Sequence, residues 1–260
     1  MTPEAFKRSI RDLQVWCSSC MVAFSGADPI GVLIGAKRPG GTLIQKIAVH
    51  PEHRRQGHGR HLLTSLGAKL AILGPPRIIA EVPETFAPAC GLFSACGYVQ
   101  EASLTDYMLP FDSRAAFPPA HGVQTPLPEG RFVIPATVDD LAANGLLGQG
   151  DTQLCWERSV ETMTARKGEV EGLAVASDER IEAYLLYMQR GTEAEIVSLR
   201  SFVDDDGSRL MRLVGELRRG VETVRFPKVH PAEISQDMLE PLGFRSAGGH
   251  LLLAARARSD

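Results

Sequence analysis

The stretch that decides the fold is residues 43–63, which read LIQKIAVHPEHRRQGHGRHLL. It predicts an apolar strand, a stop at Pro51, a short basic turn and then a helix with leucines on one face. The first turn of a helix presents unpaired N–H groups and the positive end of the helix dipole, so this turn is suited to bind an anion. Gly57 and Gly59 let a phosphate approach the backbone closely. Three arginines add positive charge: Arg54, Arg55 and Arg60.

Two other phosphate-binding motifs do not fit this turn. The dinucleotide fingerprint needs a third glycine, where this chain has Leu62. A nucleoside-triphosphate P-loop needs Gly-Lys-Ser/Thr, which does not follow here. Because Gly-x-Gly alone is also typical of a plain glycine-capped turn, the function has to be inferred from the whole stretch.

The whole stretch resembles the signature of the GNAT superfamily of N-acetyltransferases, Arg/Gln-x-x-Gly-x-Gly/Ala after a strand that commonly ends in Val-x-Pro. Residues 54–59 (RRQGHG) match this signature, and Val49-His50-Pro51 precedes them. Leu92-Phe93 and Gly97-Tyr98 are similar to the closing helix and strand of the family, so the resemblance covers roughly residues 6–111. It implies acetyl-CoA as cosubstrate and no metal.

The resemblance also implies which residues bind CoA. Strand atoms would pair with the pantetheine arm, as an added strand pairs with an open edge; these belong to Ile47, Ala48 and Val49. The turn, chiefly through its backbone amides, would bind the pyrophosphate, and its residues are Arg54, Arg55, Gln56, Gly57, His58, Gly59 and Arg60.

The catalytic groups are harder to assign. Many family members carry a tyrosine four residues before the closing glycine, where it protonates the leaving thiolate, but this chain has Phe93, which cannot donate a proton. An amine acceptor needs a general base, for which a carboxylate is the usual group. Glu81 lies in an apolar strand, where a charge is costly without a role or a partner, and Glu84 follows at the strand exit. We take both as candidate bases, while an ordinary ion pair is an equal alternative for Glu81.

Neither the histidines nor the cysteines predict a metal site or a disulfide framework. His50, His53, His58 and His61 span a strand end, a turn and a helix start, so they do not converge as ligands on one helix face would. The five cysteines are an odd number spread over a long chain. Cys17 and Cys20 lead into an apolar run and are interpreted as buried strand cysteines.

The two halves of the chain repeat each other. Each is predicted to contain a helix, three strands, a helix, a strand, a short helix and a final strand, and the first helices open at Phe6 and Trp156. The predicted domains are residues 1–111 and 131–260, joined by a Pro- and Gly-rich linker at 112–130. Only the second half carries an additional strand and helix before its Trp156 helix. The expected fold class is α/β, with two tandem GNAT-like domains that each have a mixed, mostly antiparallel sheet flanked by helices.

The second half is predicted to have lost the cofactor. At the start of its matching helix it has Asp204, Asp205 and Asp206, which suit the helix dipole but would repel a pyrophosphate. It is therefore interpreted as a degenerate repeat.

Composition restricts the partners and the location. A formal net charge of −3 and a pI near 6.2 provide no general attraction for nucleic acid. No run reaches the ~18 apolar residues of a membrane span, and the N-terminus is charged where a signal peptide would be apolar. We expect a cytoplasmic protein without a membrane or nucleic-acid partner, whose partner is a small-molecule or peptide amine. A homodimer is left open.

The predicted activity is transfer of an acetyl or short acyl group from acetyl-CoA to a primary amine. Two alternatives remain: a non-catalytic acyl-CoA-binding or regulatory protein, which Phe93 favours, and an interaction protein with two vestigial domains. CoA binding separates the last alternative from the other two, and release of the CoA thiol with a panel of amines separates those.

Overall fold

The computed structural model of the chain describes residues 2–110, 127–148, 154–217 and 221–258. The helices found there are α1 (Pro3–Asp12), α2 (His58–Leu73), α3 (Ala87–Ala95), α4 (Val138–Ala143), α5 (Val160–Ala165), α6 (Ser208–Leu217) and α7 (Gln236–Leu239). The strands are β1 (Met21–Ser25), β2 (Asp28–Arg38), β3 (Gly41–Val49), β4 (Arg77–Pro83), β5 (Val99–Pro110), β6 (Phe132–Pro135), β7 (Glu171–Ala176), β8 (Ile181–Arg190), β9 (Glu193–Ser201), β10 (Thr223–Val229) and β11 (Arg245–Arg256). The predicted order of elements is confirmed in both halves.

The chain forms two compact units. The first consists of Met1–Leu104 and Gly249–Asp260, and the second of Thr105–Gly248. The C-terminal segment thus belongs to the first unit, whereas the predicted boundaries assign it to the second domain. Most of the predicted linker, residues 112–126, lies outside the described residues.

The first unit contains a mixed sheet in the order β1-β2-β3-β4-β11-β5, to which β11 and β5 contribute residues 249–256 and 99–104. Strands β3 and β4 are parallel, while β1–β2, β2–β3 and β4–β11 are antiparallel. The register between β2 and β3 shifts at Ile34/Gly35 and leaves Gln45 as an extra, bulged residue.

The sheet of the second unit repeats this pattern, in the order β5-β10-β9-β8-β7-β6. Strands β9 and β10 are parallel, and the register between β8 and β9 shifts at Leu186/Tyr187, which leaves Val197 as the extra residue. The bulge therefore occurs at the same place in both repeats. Because bulge position depends on strand pairing rather than on local composition, it is independent support for the repeat.

The last strands of the two repeats are exchanged. Strand β4 of the first repeat pairs along its length with β11, the last strand of the second repeat. Strand β10 of the second repeat pairs in turn with residues 105–110 of β5, the last strand of the first. The ladder between β4 and β11 explains why the C-terminal segment belongs to the first unit.

Each unit has its own apolar core. In the first unit the four leucines predicted on one face of α2 are buried against the sheet, and they are Leu62, Leu63, Leu66 and Leu70. Leu251 and Leu253 of β11 belong to the same cluster. Full burial of a leucine side chain contributes about 1.5–3 kcal/mol, so this packing fixes α2, and with it the turn before α2, on the sheet.

Two local predictions were wrong. The helix predicted to open at Trp156 begins only at Val160. Residues Trp156–Arg158 form a 3₁₀ turn, and Ser159 then caps the short helix α5 by accepting a hydrogen bond from Thr162 N. Cys17 is exposed in a 3₁₀ turn and not buried in a strand, since the strand begins only at Met21.

Candidate functional site

The turn before α2 leaves several backbone N–H groups without a partner. Gly57 is the N-cap of α2 with φ 89°, and Arg55 also has a positive φ, 65°. The first bond of the helix runs from His61 N to Gly57 O at 2.9 Å. Among the described residues, the N–H groups of residues 56–60 form no hydrogen bond. They form the open end of the helix, where the dipole also favours an anion.

The two glycines of the turn are needed for different reasons. At Gly57 no atom lies within 4 Å of the place a Cβ would take, so glycine is favoured there by its positive φ alone. At Gly59 a Cβ would come within 3.1 Å of Leu92 Cδ2, so glycine allows α2 to pack closely on α3. The space in front of Gly57 is therefore open to a ligand.

The three arginines have different positions. Arg54 donates from Nε to Val49 O at 3.0 Å, which ties the turn to the end of β3. Arg60 donates to Ala95 O at 3.3 Å and ties α2 to α3. Arg55 is exposed and has no hydrogen-bond partner among the described residues. Of the three, Arg55 is the one whose charge is fully available to a ligand.

The turn lies at the end of a gap between two strands. Strands β3 and β4 pair only at Thr42↔Ile78 and Leu43↔Ile79, and they diverge beyond these residues. Residues 47–49 of β3 pair with β2 on one side. Within the described residues, their other edge has no strand partner, so its N–H and C=O groups can pair with an extended ligand.

Gln45, the bulged residue of β3, was not selected by the sequence analysis. Its Oε1 is buried and has no hydrogen-bond partner among the described residues. No local signal could have identified it, because its position depends on the register between β2 and β3.

The two carboxylates predicted as general bases lie three residues apart near the end of β4. Glu81 is partly buried and pairs with Leu252 of β11, so its side chain lies on the face opposite to that of the α2 leucines. Glu84 is exposed, and its N–H donates to Gly249 O at 3.0 Å. A Cβ at Gly249 would lie 2.9 Å from Glu84 Oε2, so the carboxylate rests directly on this glycine. Gly249 was not among the site residues predicted from the sequence.

Phe93 belongs to the core of the first unit. Its side chain is 2% exposed and packs edge to face on Tyr98, with ring centroids 5.0 Å apart. Burial raises the pKa of Tyr98 above its usual value of 10, so this phenol stays protonated. A hydroxyl group added to the Phe93 ring would therefore be buried in this core.

In the second unit, an internal carboxylate occupies the corresponding helix start. Asp205 accepts hydrogen bonds from Gly207 N at 3.1 Å and from Arg209 Nη1 at 2.7 Å. Burial acts to raise the pKa of Asp205, but its hydrogen bonds to Arg209 and Ser208 hold that pKa below the ordinary value. In the second unit, the Asp205 carboxylate thus occupies the helix start that is open to a ligand in the first unit.

The gap between the parallel strands of the second unit is also filled. Strands β9 and β10 pair only at Thr223, Val224 and Arg225 of β10 and then diverge. Arg158 is 1% exposed, donates to Lys228 O of β10 at 2.9 Å and forms a salt bridge of 2.6 Å with Glu233. A longer contact of 3.5 Å joins it to Val197 O on β9. Arg158 therefore bridges the two strands where the first unit has an open edge.

The described part of the chain contains no group of three or more potential metal ligands. The rings of His50 and His53 are 5.9 Å apart, and those of His53 and His58 are 6.2 Å apart. Among the same residues, no helix combines the length and the hydrophobicity that a membrane span requires.

Known proteins provide an independent comparison. Residues 2–98 match the model of the Acetyltransferase (GNAT) family. The chain is similar to the structure of a tandem GNAT protein from the clavulanic acid biosynthesis pathway, with 18% identity, a TM-score of 0.67 and coverage of 97% of this chain and 88% of the other. A GCN5-related N-acetyltransferase from Sphaerobacter thermophilus has 15% identity and a TM-score of 0.65 over 92% and 81% of the two chains. No curated protein matches the chain.

At these identities the solved structures show the fold, and the family model covers the first repeat, where the open helix start and the strand gap lie. Residues 2–98, which form most of the first repeat, therefore match the GNAT family of acetyltransferases, and the chain as a whole has the fold of a tandem GNAT protein.

Proposed function

We propose that the first unit transfers an acetyl or short acyl group from acyl-CoA to a primary amine. The proposal rests on one observation: the open helix start and the open strand edge follow each other along the chain. The free N–H groups of residues 56–60 suit a pyrophosphate, and the unpaired edge of residues 47–49 suits the amide-containing arm that follows it. Acyl transfer agrees with the match to the GNAT family.

The residues present fit CoA in charge and in shape. Gly57 leaves open space in front of the helix, and Arg55 adds an exposed, unpaired positive charge. Arg54 and Arg60 hold the turn in position through backbone carbonyls. When bound, acetyl-CoA supplies the activated acyl group as a thioester.

The protein contributes positioning, polarisation and a proton acceptor. Backbone N–H groups on the open edge of β3 are placed to polarise a carbonyl, and holding the reactants together lowers the entropic cost of their reaction. Glu81 or Glu84 would accept the proton that the attacking amine loses. Both are near the end of β4, the strand that diverges from the open edge.

The alternative function is acyl-CoA binding without catalysis. It is favoured by Phe93, which lacks a hydroxyl group and is buried in the core. In this case CoA binds to the first unit, but no amine increases the release of its thiol.

We expect one CoA per chain. The second unit has Asp205 at its helix start and Arg158 in its strand gap, so both parts of a CoA site are occupied by protein groups. At matching helix starts, an open N–H group attracts a phosphate and a carboxylate repels it.

A thermal-shift titration with CoA tests the binding step, and calorimetry counts the sites. CoA at 100 times its Kd stabilises the protein by about 2.7 kcal/mol per site. Gly57→Glu should abolish this shift by placing a side chain and a negative charge in front of the helix. Asp205→Ala is the control: we expect it to lower the basal stability through loss of the hydrogen bonds from Gly207 and Arg209 but to keep the CoA-dependent shift. Two bound equivalents, or a shift that survives Gly57→Glu, would show that the assignment is wrong.

The catalytic step is tested by release of the CoA thiol with a panel of amines. Glu81→Gln and Glu84→Gln should each be measured for turnover and for CoA affinity. We expect at least one of them to lower turnover while CoA affinity stays nearly the same. Unchanged turnover in both would remove these carboxylates from the mechanism, and absence of turnover in the unsubstituted protein would favour the non-catalytic alternative.

A further inference from the structure

The second unit contains a cavity of ≈ 90 Å³ that the CoA-binding proposal does not use. Its wall includes Tyr184 of β8, Ser198 and Arg200 of β9, and Glu233. The two β9 residues lie beyond the short stretch that pairs with β10, so the cavity lies beside the diverging part of the strand. At about 10–15 Å³ for each water, it has room for about six to nine water-sized groups.

Together with the ion-pair partner of Glu233, the charged side chains among the described residues of the wall carry a net positive charge. Glu233 is neutralised by Arg158, whose two nitrogens lie 2.6 and 2.7 Å from its carboxylate oxygens. Arg200 has no carboxylate partner among the described residues and lies over the ring of Phe202 at 5.4 Å. A partly buried guanidinium without a counter-ion favours an anionic ligand.

Two hydroxyl groups stand beside this charge. Tyr184 and Arg200 are directly opposite each other in the β8–β9 ladder, and Tyr184 Oη lies 3.1 Å from Ser198 Oγ. Burial raises the pKa of Tyr184 against the opposing effects of Ser198 and Arg200, so the phenol keeps its proton. The pair of hydroxyls can therefore donate at least one hydrogen bond to an anion bound at Arg200.

The described part of the wall also carries apolar side chains, which are those of Leu147, Leu154 and Met163. A cavity with one cationic end, two hydroxyls and an aliphatic remainder matches a small molecule with one carboxylate and a short hydrocarbon part. A ligand with a second anionic group would find no further unpaired cation among the described residues of this wall.

We propose that the second unit binds a small monocarboxylate of at most about nine heavy atoms. Its carboxylate lies at Arg200 and the hydroxyls of Tyr184 and Ser198, and its hydrocarbon part packs on Leu147, Leu154 and Met163. The unit that has lost the features of a CoA site thus keeps a ligand site of its own. This site does not depend on acyl transfer by the first unit.

The test uses the full chain without CoA and four probes: acetate, propionate, butyrate and octanoate. Binding is measured by calorimetry and by ligand-observed NMR. We expect the three short acids to bind and octanoate to bind more weakly, because its chain exceeds the cavity. Two control probes of similar size should not bind: propylamine, which is positively charged, and propanol, which is uncharged.

Variants then locate the site. Arg200→Gln should weaken binding of butyrate by about tenfold or more, since it removes a charge-assisted contact. Arg190→Gln, at an exposed position at the end of β8, is the matched control and should bind like the unsubstituted protein. Tyr184→Phe should weaken binding less than Arg200→Gln, and Arg200→Lys should retain part of the affinity.

Each outcome decides the proposal. A loss in Arg200→Gln with retention in Arg190→Gln and Arg200→Lys supports it, provided that circular dichroism shows all variants folded. Equal binding in Arg200→Gln and the unsubstituted protein, preference for propylamine, or no binding of any acid would overturn it, the last result indicating a cavity that holds water only. Because Gly57→Glu leaves this cavity untouched, that variant should bind butyrate normally even if it no longer binds CoA.

Discussion

The substitution Gly249→Ala offers a direct test of whether the C-terminal strand positions a catalytic carboxylate. A Cβ at residue 249 would lie 2.9 Å from Oε2 and 3.1 Å from Oε1 of Glu84. Non-bonded atoms in ordinary contact are about 3.5 Å apart, so the carboxylate must move by about half an ångström. The colliding group is the end of a flexible, exposed side chain, so we expect the unfolding free energy to change by less than about 1 kcal/mol.

The effect on catalysis should be larger than the effect on stability. A displacement of about 1 Å in a catalytic group can cost about 100-fold in rate, so half of that displacement should cost about tenfold, or about 1.4 kcal/mol in activation free energy. Turnover is measured by release of the CoA thiol with the best amine of the panel. CoA affinity should be nearly unchanged, since Gly249 is on β11 and not on the turn before α2.

A second glycine provides the matched control. Gly215 lies in α6, and no atom lies within 4 Å of the place its Cβ would take. Gly215→Ala should raise stability by up to about 1 kcal/mol through helix propensity and leave turnover unchanged. If Gly249→Ala turns over normally while Glu84→Gln is slow, the argument from displacement is refuted. If both turn over normally, Glu84 is not the base and Glu81 is left as the candidate.

Three further predictions concern the exchanged strand and the two cores. A fragment ending at residue 130 lacks β11, the partner of β4, and should show no cooperative unfolding transition by circular dichroism; a cooperative transition would contradict the role assigned to β11. Arg158→Ala leaves Glu233 buried without its partner and should lower the free energy of unfolding by about 3–5 kcal/mol in urea denaturation, whereas Arg158→Met combined with Glu233→Leu should recover most of this loss. Equal losses in the single and double variants would argue against an uncompensated charge as the cause. Phe93→Tyr should lower stability by about 1–3 kcal/mol without faster thiol release, because its hydroxyl would be buried beside Tyr98; unchanged stability would show that the hydroxyl reaches solvent or the strand gap.

The sequence by itself determined the elements, their order and the nature of the turn. The repeated pattern of strands and helices is carried by local alternation of apolar residues, which depends on neighbours within a few positions. The open helix start could also be predicted, since glycine at a positive φ and a proline stop act within one turn of the chain. The contrast between Gly57 and Asp205 was visible for the same reason.

Only the tertiary structure decided which groups meet across the chain. The exchange of β5 and β11, the contact of Gly249 with Glu84 and the bridge that Arg158 makes to Lys228 join residues far apart in the sequence. Such pairings depend on strand register and on which of several apolar strands of similar composition pair with each other. Local periodicity does not determine either of these. The same limit explains why Gln45 and Arg200 were not selected: a polar side chain becomes notable only once burial and the absence of a partner are known.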